Sequence, residues 1–259
     1  MQRLSNKRVL LTGAGQGQGK AIAAALVREG ARVAVHDLTS ESAARTCKEI
    51  DSGGKAAFPL GADLRDAAQI EQLCSQAIAG LGGLDILVSN AGIARIANVL
   101  DTDESLWDDT ININLKAGFL LAKHALPAIL RNGQGAIIFN ASTSGKSADA
   151  NMSAYNASKH GLIGFMKCLA AEVGPKNVRV NAICPGWVDT PMAHDLHRTF
   201  AAEQGRPFEQ VFDEGMRNNM MQALLPPDAT ADLCVFLASN ESKYITGQAI
   251  NLCAGLCYW

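Results

Sequence analysis

The stretch Arg8-Val9-Leu10-Leu11-Thr12-Gly13-Ala14-Gly15-Gln16-Gly17-Gln18-Gly19 decides the fold. A short apolar run meets a glycine-rich turn, and a helix-period segment, 17–29, follows at once. Glycine belongs in such a turn because it takes positive φ and lets the backbone approach phosphate oxygens closely. The helix that opens there presents free N–H groups and its positive dipole end to a pyrophosphate. The strict Gly-x-Gly-x-x-Gly spacing fails, since Gln18 holds the third glycine's place. A phosphate-loop NTPase fails as well, because Ala14 stands at the first glycine and Ala21 follows Lys20. The spacing that fits is Gly13-x-x-x-Gly17-x-Gly19.

Outward from this turn, apolar runs alternate with helix-period segments. The expected strands are 8–12, 32–36, 56–60, 84–89, 136–140, 178–183 and 249–252, and the expected helices are 17–29, 41–51, 66–79, 103–130, 153–173 and 228–238. Runs such as Ile86-Leu87-Val88 are continuously apolar, as parallel strands covered on both faces must be. Repeated β-α order implies a three-layer, doubly wound parallel sheet of about seven strands, a Rossmann fold with right-handed crossovers. The chain shows no repeat, linker or change of composition, so residues 1–259 are expected to form one dinucleotide-binding and catalytic domain. Residues 191–227 depart from the rhythm, being rich in Met, Phe and His, and are expected to form a substrate lid.

Asp37 ends the second strand, where a carboxylate accepts hydrogen bonds from a ribose 2′-hydroxyl and repels a 2′-phosphate. Leu38 follows it and Gln16 precedes Gly17, so no basic residue is placed to welcome NADP, and NAD is favoured. Tyr155 and Lys159 are i and i+4 on one expected helix face, with Ser142 just beyond the apolar run 136–139. A tyrosine, a lysine and a serine around one carbonyl or alcohol suit proton handling during hydride transfer.

Thr12-Gly-x-x-x-Gly-x-Gly19, Asn90-Ala91-Gly92, Ser142, Tyr155-x-x-x-Lys159 and Pro185-Gly186-Trp187-Val188-Asp189-Thr190 together resemble the single-domain short-chain dehydrogenases/reductases, over the whole chain and in family order. The resemblance implies Tyr155 as general acid/base, its pKa lowered by the Lys159 ammonium together with the positive oxidised nicotinamide, Lys159 bonding the nicotinamide ribose, and Ser142 holding the substrate oxygen. It implies Asn114, rather than the nearby Asn112, as the helix-kinking asparagine of the proton relay. It places Gly13, Gln16, Gly17, Gln18, Gly19, Asp37, Asp63, Leu64, Asn90, Ala91, Gly92, Tyr155, Lys159, Pro185, Gly186, Val188 and Thr190 against the cofactor, and it implies a homotetramer. Blocks 155–190 and 251–256 look most like hydroxybutyrate dehydrogenases and polyketide-type ketoreductases. Against the first, Ala94, Ser144 and Met152 offer a carboxylate little; against the second stands Asp37, since those reductases prefer NADPH. Cys253-Ala254-Gly255 replaces the family's usual Asp-Gly-Gly.

Composition bounds the rest. A formal charge of −2 gives no basic field for nucleic acid or an anionic membrane. No apolar stretch reaches the ~18 residues of a membrane span, and a strand begins too early for a signal peptide, so a cytoplasmic setting is expected. Seven scattered cysteines without a Cys-x-x-Cys pair read as reduced thiols, with no metal site. The expected partner is a small alcohol or ketone, with Ser144, Trp187, Met192 and Trp259 as candidate substrate contacts. The leading reading is an NAD-dependent oxidoreductase interconverting a secondary alcohol and a ketone. The alternatives are a 3-oxoacyl or polyketide-type ketoreductase, and a catalytically silent NAD-binding regulatory protein.

Overall fold

The computed structural model describes residues 2–258, so the expected contact of Trp259 lies outside the described residues. In chain order the strands are β1 (Arg8–Leu11), β2 (Arg32–Asp37), β3 (Ala57–Gly61), β4 (Ile86–Ser89), β5 (Gly135–Asn140), β6 (Val178–Pro185) and β7 (Ala249–Leu252). The α-helices are α1 (Gly17–Arg28), α2 (Ser40–Ile50), α3 (Ala67–Leu81), α4 (Glu104–Ile111), α5 (Ala117–Leu130), α6 (Ser153–Val173), α7 (Pro191–Gln204), α8 (Phe208–Arg217) and α9 (Pro227–Ala238). The strands form one parallel sheet in the order β3-β2-β1-β4-β5-β6-β7. β1 therefore pairs with β2 on one side and with β4 on the other, so successive crossovers depart in opposite directions there. That divergence opens a crevice beyond the carboxyl ends of the strands, where doubly wound sheets bind ligands.

The central strands are largely apolar because both of their faces are covered. One core joins Leu10, Leu87, Ile137 and Phe139 to α3, α5 and α6, whereas the other joins Val9, Leu11, Val88 and Ile138 to α1 and α9. Local chemistry fixes the helix ends. Asp66 caps α3 by accepting from the Ala68 N–H at 2.8 Å, and Gly82 closes it in the left-handed region. Thr190 caps α7, with Pro191 at the first helical position and left-handed Gly205 at its end. At the opposite end of β1, Arg8 Nε donates to Asp85 at 2.8 Å and ties the entry of β1 to that of β4.

The expected single helix 103–130 is corrected to two. Asn112–Lys116 adopt a π-turn between α4 and α5, because one extra residue is accommodated there. Thr12 likewise falls outside β1, its N–H donating to the Val88 carbonyl at 3.1 Å at the start of the turn. Between β6 and α9 stand α7 and α8, held together by rings. His197 lies 4.2 Å from Trp187 and 5.0 Å from Phe212, and His194 stacks on Phe212 at 5.2 Å. Among the described residues, no helix is long and apolar enough to cross a membrane.

Candidate active site

Beyond the carboxyl end of β1 the glycine turn is pressed against β4. Gly13 takes φ 65°, and a Cβ there would stand 2.6 Å from the Ala91 Cα, so no larger residue fits. The Thr12 hydroxyl accepts from the Asn90 and Ala91 N–H groups at 3.1 and 3.2 Å. The Asn90 amide returns the contact, donating to the Thr12 and Gly13 carbonyls at 3.0 and 2.9 Å. Helix α1 begins at Gly17 with no side-chain cap and no acidic residue in its first turn. Its N–H groups are thereby left for an anion.

A cleft of about 270 Å³ runs along this edge, lined by Gly13, Gln16, Gly17, Gln18, Gly19, Asp37, Asp63, Leu64, Asn90, Ala91, Gly92, Tyr155, Lys159 and Thr190. Asp37 is fixed by the Ser42 hydroxyl, which donates to its Oδ2. Asp63 is gripped by Arg65, whose hydrogen bonds hold its carboxyl below the usual range against an opposing push from burial. His36, beside Asp37, is buried, borders the cleft and bonds the Ala62 carbonyl at 3.1 Å. Pro185, Gly186 and Val188 line instead a second cavity of about 130 Å³, together with Ser142, Ser144, Trp187 and Met192. Gln18, Ala141, Tyr155, Thr190 and Met192 border both spaces.

Tyr155, Lys159 and Ser142 come together at that shared border. The Lys159 Nζ lies 5.6 Å from the Tyr155 ring centre and donates to the Asn140 carbonyl at 2.9 Å. Ser142 ends the β5 loop, its Oγ accepting from the Ser144 N–H at 3.1 Å. Burial pushes the Tyr155 phenol above its ordinary value, with hydrogen bonding from Ser142 working the other way. Burial also lowers Lys159, to about 8. The expected lowering of Tyr155, which includes the charge of an oxidised nicotinamide, is thus not the balance in the protein alone. Desolvation dominates there, because the phenolate would form in an enclosed space.

Of the two neighbouring asparagines, Asn114 is the buried one. Its Oδ1 accepts from the Ile93 N–H at 2.8 Å, and its Nδ2 donates to the Ile93 carbonyl at 2.9 Å and the Ser158 hydroxyl at 3.0 Å. A Cβ on Gly92 would come within 3.2 Å of Asn114 Oδ1 and 3.5 Å of Lys159 Nζ, so these groups converge behind Gly92. The π-turn carries Asn114 to that point.

Three participants escaped sequence reasoning. Asn140 donates to Asn90 Oδ1 at 2.8 Å and to Gln18 Oε1 at 3.2 Å, while its carbonyl anchors Lys159. Thr230, from α9, donates to the same Gln18 oxygen at 2.9 Å. Asp149 accepts from the Ser144 hydroxyl at 2.7 Å beside the second cavity. A polar residue at a strand end was the available signal for Asn140; nothing marked the other two. Cys253 and Cys257 are free thiols, and no metal-binding cluster exists among the described residues.

The comparisons with known proteins decide the family. The model described as enoyl-(acyl carrier protein) reductase matches residues 13–257. The chain belongs to the short-chain dehydrogenase/reductase family. Similar to this family member is the D-beta-hydroxybutyrate dehydrogenase of Cupriavidus necator, 38% identical over 97% of this chain and 98% of the relative. A putative short-chain alcohol dehydrogenase from Sinorhizobium meliloti superposes with a TM-score of 0.90 at 35% identity, covering 98% of this chain and 97% of the other. A variant of the actinorhodin polyketide ketoreductase with NADPH superposes at 0.94 and 34% identity, covering 98% of each chain. As in those short-chain dehydrogenases/reductases, the chemistry is that of an alcohol or ketone oxidoreductase acting on a small molecule.

Proposed function

We propose that the protein is an NAD-dependent oxidoreductase interconverting a secondary alcohol and a ketone, with Tyr155 as the general acid/base. The single observation that carries this is the convergence of Ser142, Tyr155 and Lys159 where the two cavities meet. The cleft fits a dinucleotide. Gly13 lets the turn press against Ala91, α1 opens beside it without a side-chain cap, and Asn140 Oδ1 is a buried acceptor without a partner among the described residues. In this reading Gln16, Gly17, Gln18 and Gly19 hold the pyrophosphate, Asp37 the adenosine ribose, and Asp63 and Leu64 the adenine side. Asn90, Ala91 and Gly92 back the cofactor, and Lys159 bonds the second ribose. Thr190 meets the nicotinamide end, with Pro185, Gly186 and Val188 bordering it from the second cavity. The cofactor supplies the hydride acceptor in oxidation and the donor in reduction.

The side chains do the proton work. In oxidation the Ser142 hydroxyl positions the substrate oxygen, and the Tyr155 phenolate takes the hydroxyl proton as the C–H bond gives up hydride and C=O forms. In reduction the Tyr155 phenol returns that proton to the carbonyl oxygen. The Lys159 ammonium favours the phenolate, and Asn114 and Ser158 extend the relay away from the pocket. Residues 191–227 form the lid, with Ser144, Trp187 and Met192 as substrate contacts. A homotetramer in the cytoplasm completes the reading.

One specific observation favours a second reading, a polyketide-type ketoreductase: the neighbour with a TM-score of 0.94 holds NADPH. Against it, Asp37 lines the cleft with exposed Leu38 beside it, and in this reading its carboxylate would repel a 2′-phosphate. Turnover of a panel of secondary alcohols with NAD and NADP, followed by nicotinamide absorbance, tests both readings. Equal use of NADP would overturn the assignment of Asp37. A silent regulatory protein predicts no turnover with any alcohol or ketone.

A further inference from the structure

The second cavity is walled largely by apolar side chains, among them Met152, Trp187, Met192, Leu196, Phe200 and Leu256. Its one carboxylate is Asp149, and no lysine, arginine or histidine lines it among the described residues. Asp149 lies on the loop between Ser142 and α6, and its carboxylate is held by the Ser144 hydroxyl at 2.7 Å. Its charge is felt at the reacting centre: burial is the larger influence raising the Tyr155 phenol, and Asp149 adds to it. A carboxylate accepts several hydrogen bonds, so one held by Ser144 retains lone pairs for a further donor.

Resting on the alcohol–ketone reading above, we propose that Asp149 sets the substrate class. The site takes an uncharged secondary alcohol, or its ketone, with an apolar body and a further hydroxyl that donates to Asp149. It turns away analogues that carry a carboxylate or phosphate in place of that hydroxyl.

Two physical reasons act in the same direction. An anionic tail entering this cavity is desolvated without gaining a cationic partner. It also meets a fixed like charge, which makes Asp149 a repulsive element rather than a neutral wall. A hydroxyl tail, by contrast, supplies the donor that the Asp149–Ser144 pair can accept. The relative named as a D-beta-hydroxybutyrate dehydrogenase acts, by its name, on an anionic substrate. In this chain Asp149 stands beside Ser144 and Met152 in the second cavity, a lining that gives such a substrate no cation and one like charge.

The test uses matched pairs of secondary alcohols of increasing chain length. Each pair has the same skeleton ending either in a primary hydroxyl or in a carboxylate, as in 1,3-butanediol and 3-hydroxybutyrate. The methyl ester of each acid separates charge from donor. The wild type is expected to favour the diol over the acid by about tenfold or more in kcat/KM, with the ester between them. Asp149→Asn is expected to narrow the gap, chiefly by lowering KM for the acid, whereas Asp149→Glu keeps it. Asp149→Asn is also expected to move the alkaline rise of the oxidation rate to lower pH, a shift that a merely structural role would not produce. Equal use of acid and diol by the wild type would overturn the assignment of Asp149 alone, as would an unchanged ratio in Asp149→Asn. Turnover of no member of any pair with either dinucleotide would overturn the alcohol–ketone reading together with it.

Discussion

The Lys159 ammonium stands 5.6 Å from the centre of the Tyr155 ring, one turn along α6, and is tied to the Asn140 carbonyl. Lysine and tyrosine thus share an enclosed site in which burial raises the phenol and lowers the amine. The positive charge of an oxidised nicotinamide is what would tip that balance toward the phenolate. In the protein alone, Tyr155 is therefore expected to ionise above its ordinary value of 10.0. Only three tyrosines are present, and Tyr244 and Tyr258 are exposed, so the Tyr155→Phe difference in phenolate absorbance isolates its titration. Adding NAD should move it downward, and no movement would remove the cofactor from the activation of Tyr155. The same variant should lose about 10²-fold or more of turnover while still binding NADH.

Lys159 makes a prediction about stability. Its pKa is about 8 in the folded chain against an ordinary value of 10.5. Between these values the unfolded chain holds a proton that the folded chain has released, so stability contributed by this group rises with pH across that window. Below about pH 8 the burial penalty is constant. Wild type should gain about 3 kcal/mol relative to Lys159→Met between pH 8 and 10.5, read by denaturant melts. A flat difference would show the lysine to be better solvated than its burial implies.

The Asp37 carboxylate is expected to govern the choice of dinucleotide. Replacing Asp37 with Ser and Leu38 with Arg together should swing the NAD-to-NADP ratio of kcat/KM by at least about tenfold, or 1.4 kcal/mol. The comparison is internal to each preparation, so it is insensitive to losses of folded protein.

Asn114 joins the π-turn to Ile93 through both halves of its amide. Asn114→Ala leaves the Ile93 N–H and carbonyl without those partners, at an expected cost of about 1–3 kcal/mol in thermal or denaturant unfolding. If it also serves the relay, kcat should fall further than the loss of folded enzyme accounts for.

Thr230 donates to Gln18, which lines the cleft. Thr230→Val keeps the shape and removes that donor, worth about 1 kcal/mol. The dinucleotide KM should rise about fivefold with kcat unchanged. A fall in kcat alone would place Thr230 in a different role.

The readable parts of the molecule were those whose physics is written in residue type. Gly13 must be glycine where Ala91 presses on it, and Val9–Leu11 and Ile86–Val88 are apolar because both faces are covered. Tyr155 and Lys159 share a face because helix geometry requires it. Other features use information that residue type does not carry. Lys159 is held by a main-chain carbonyl, which any residue at position 140 would offer. Asp149 is an ordinary loop aspartate until the chain brings it beside the second cavity. Pro185, Gly186 and Val188 belong to one sequence motif, yet their place beside the second cavity follows only from the tertiary arrangement. The break between α4 and α5 was hidden because a π-turn leaves the apolar period of the flanking segments nearly intact.

That break has a consequence for the register of the chain. Each residue of a helix turns the next by about 100°, and the π-turn is one residue longer than the α-helical path it replaces. The stretch from Glu104 to Leu130 therefore counts one place more than its hydrophobic faces require. Deleting a single residue at 112–116 would let a continuous helix run with both apolar faces still in place, yet point position 114 away from Ile93. The aim of Asn114 is thus a matter of arithmetic, and a lineage that lost one codon there would keep its core and lose the Asn114–Ile93 pairing.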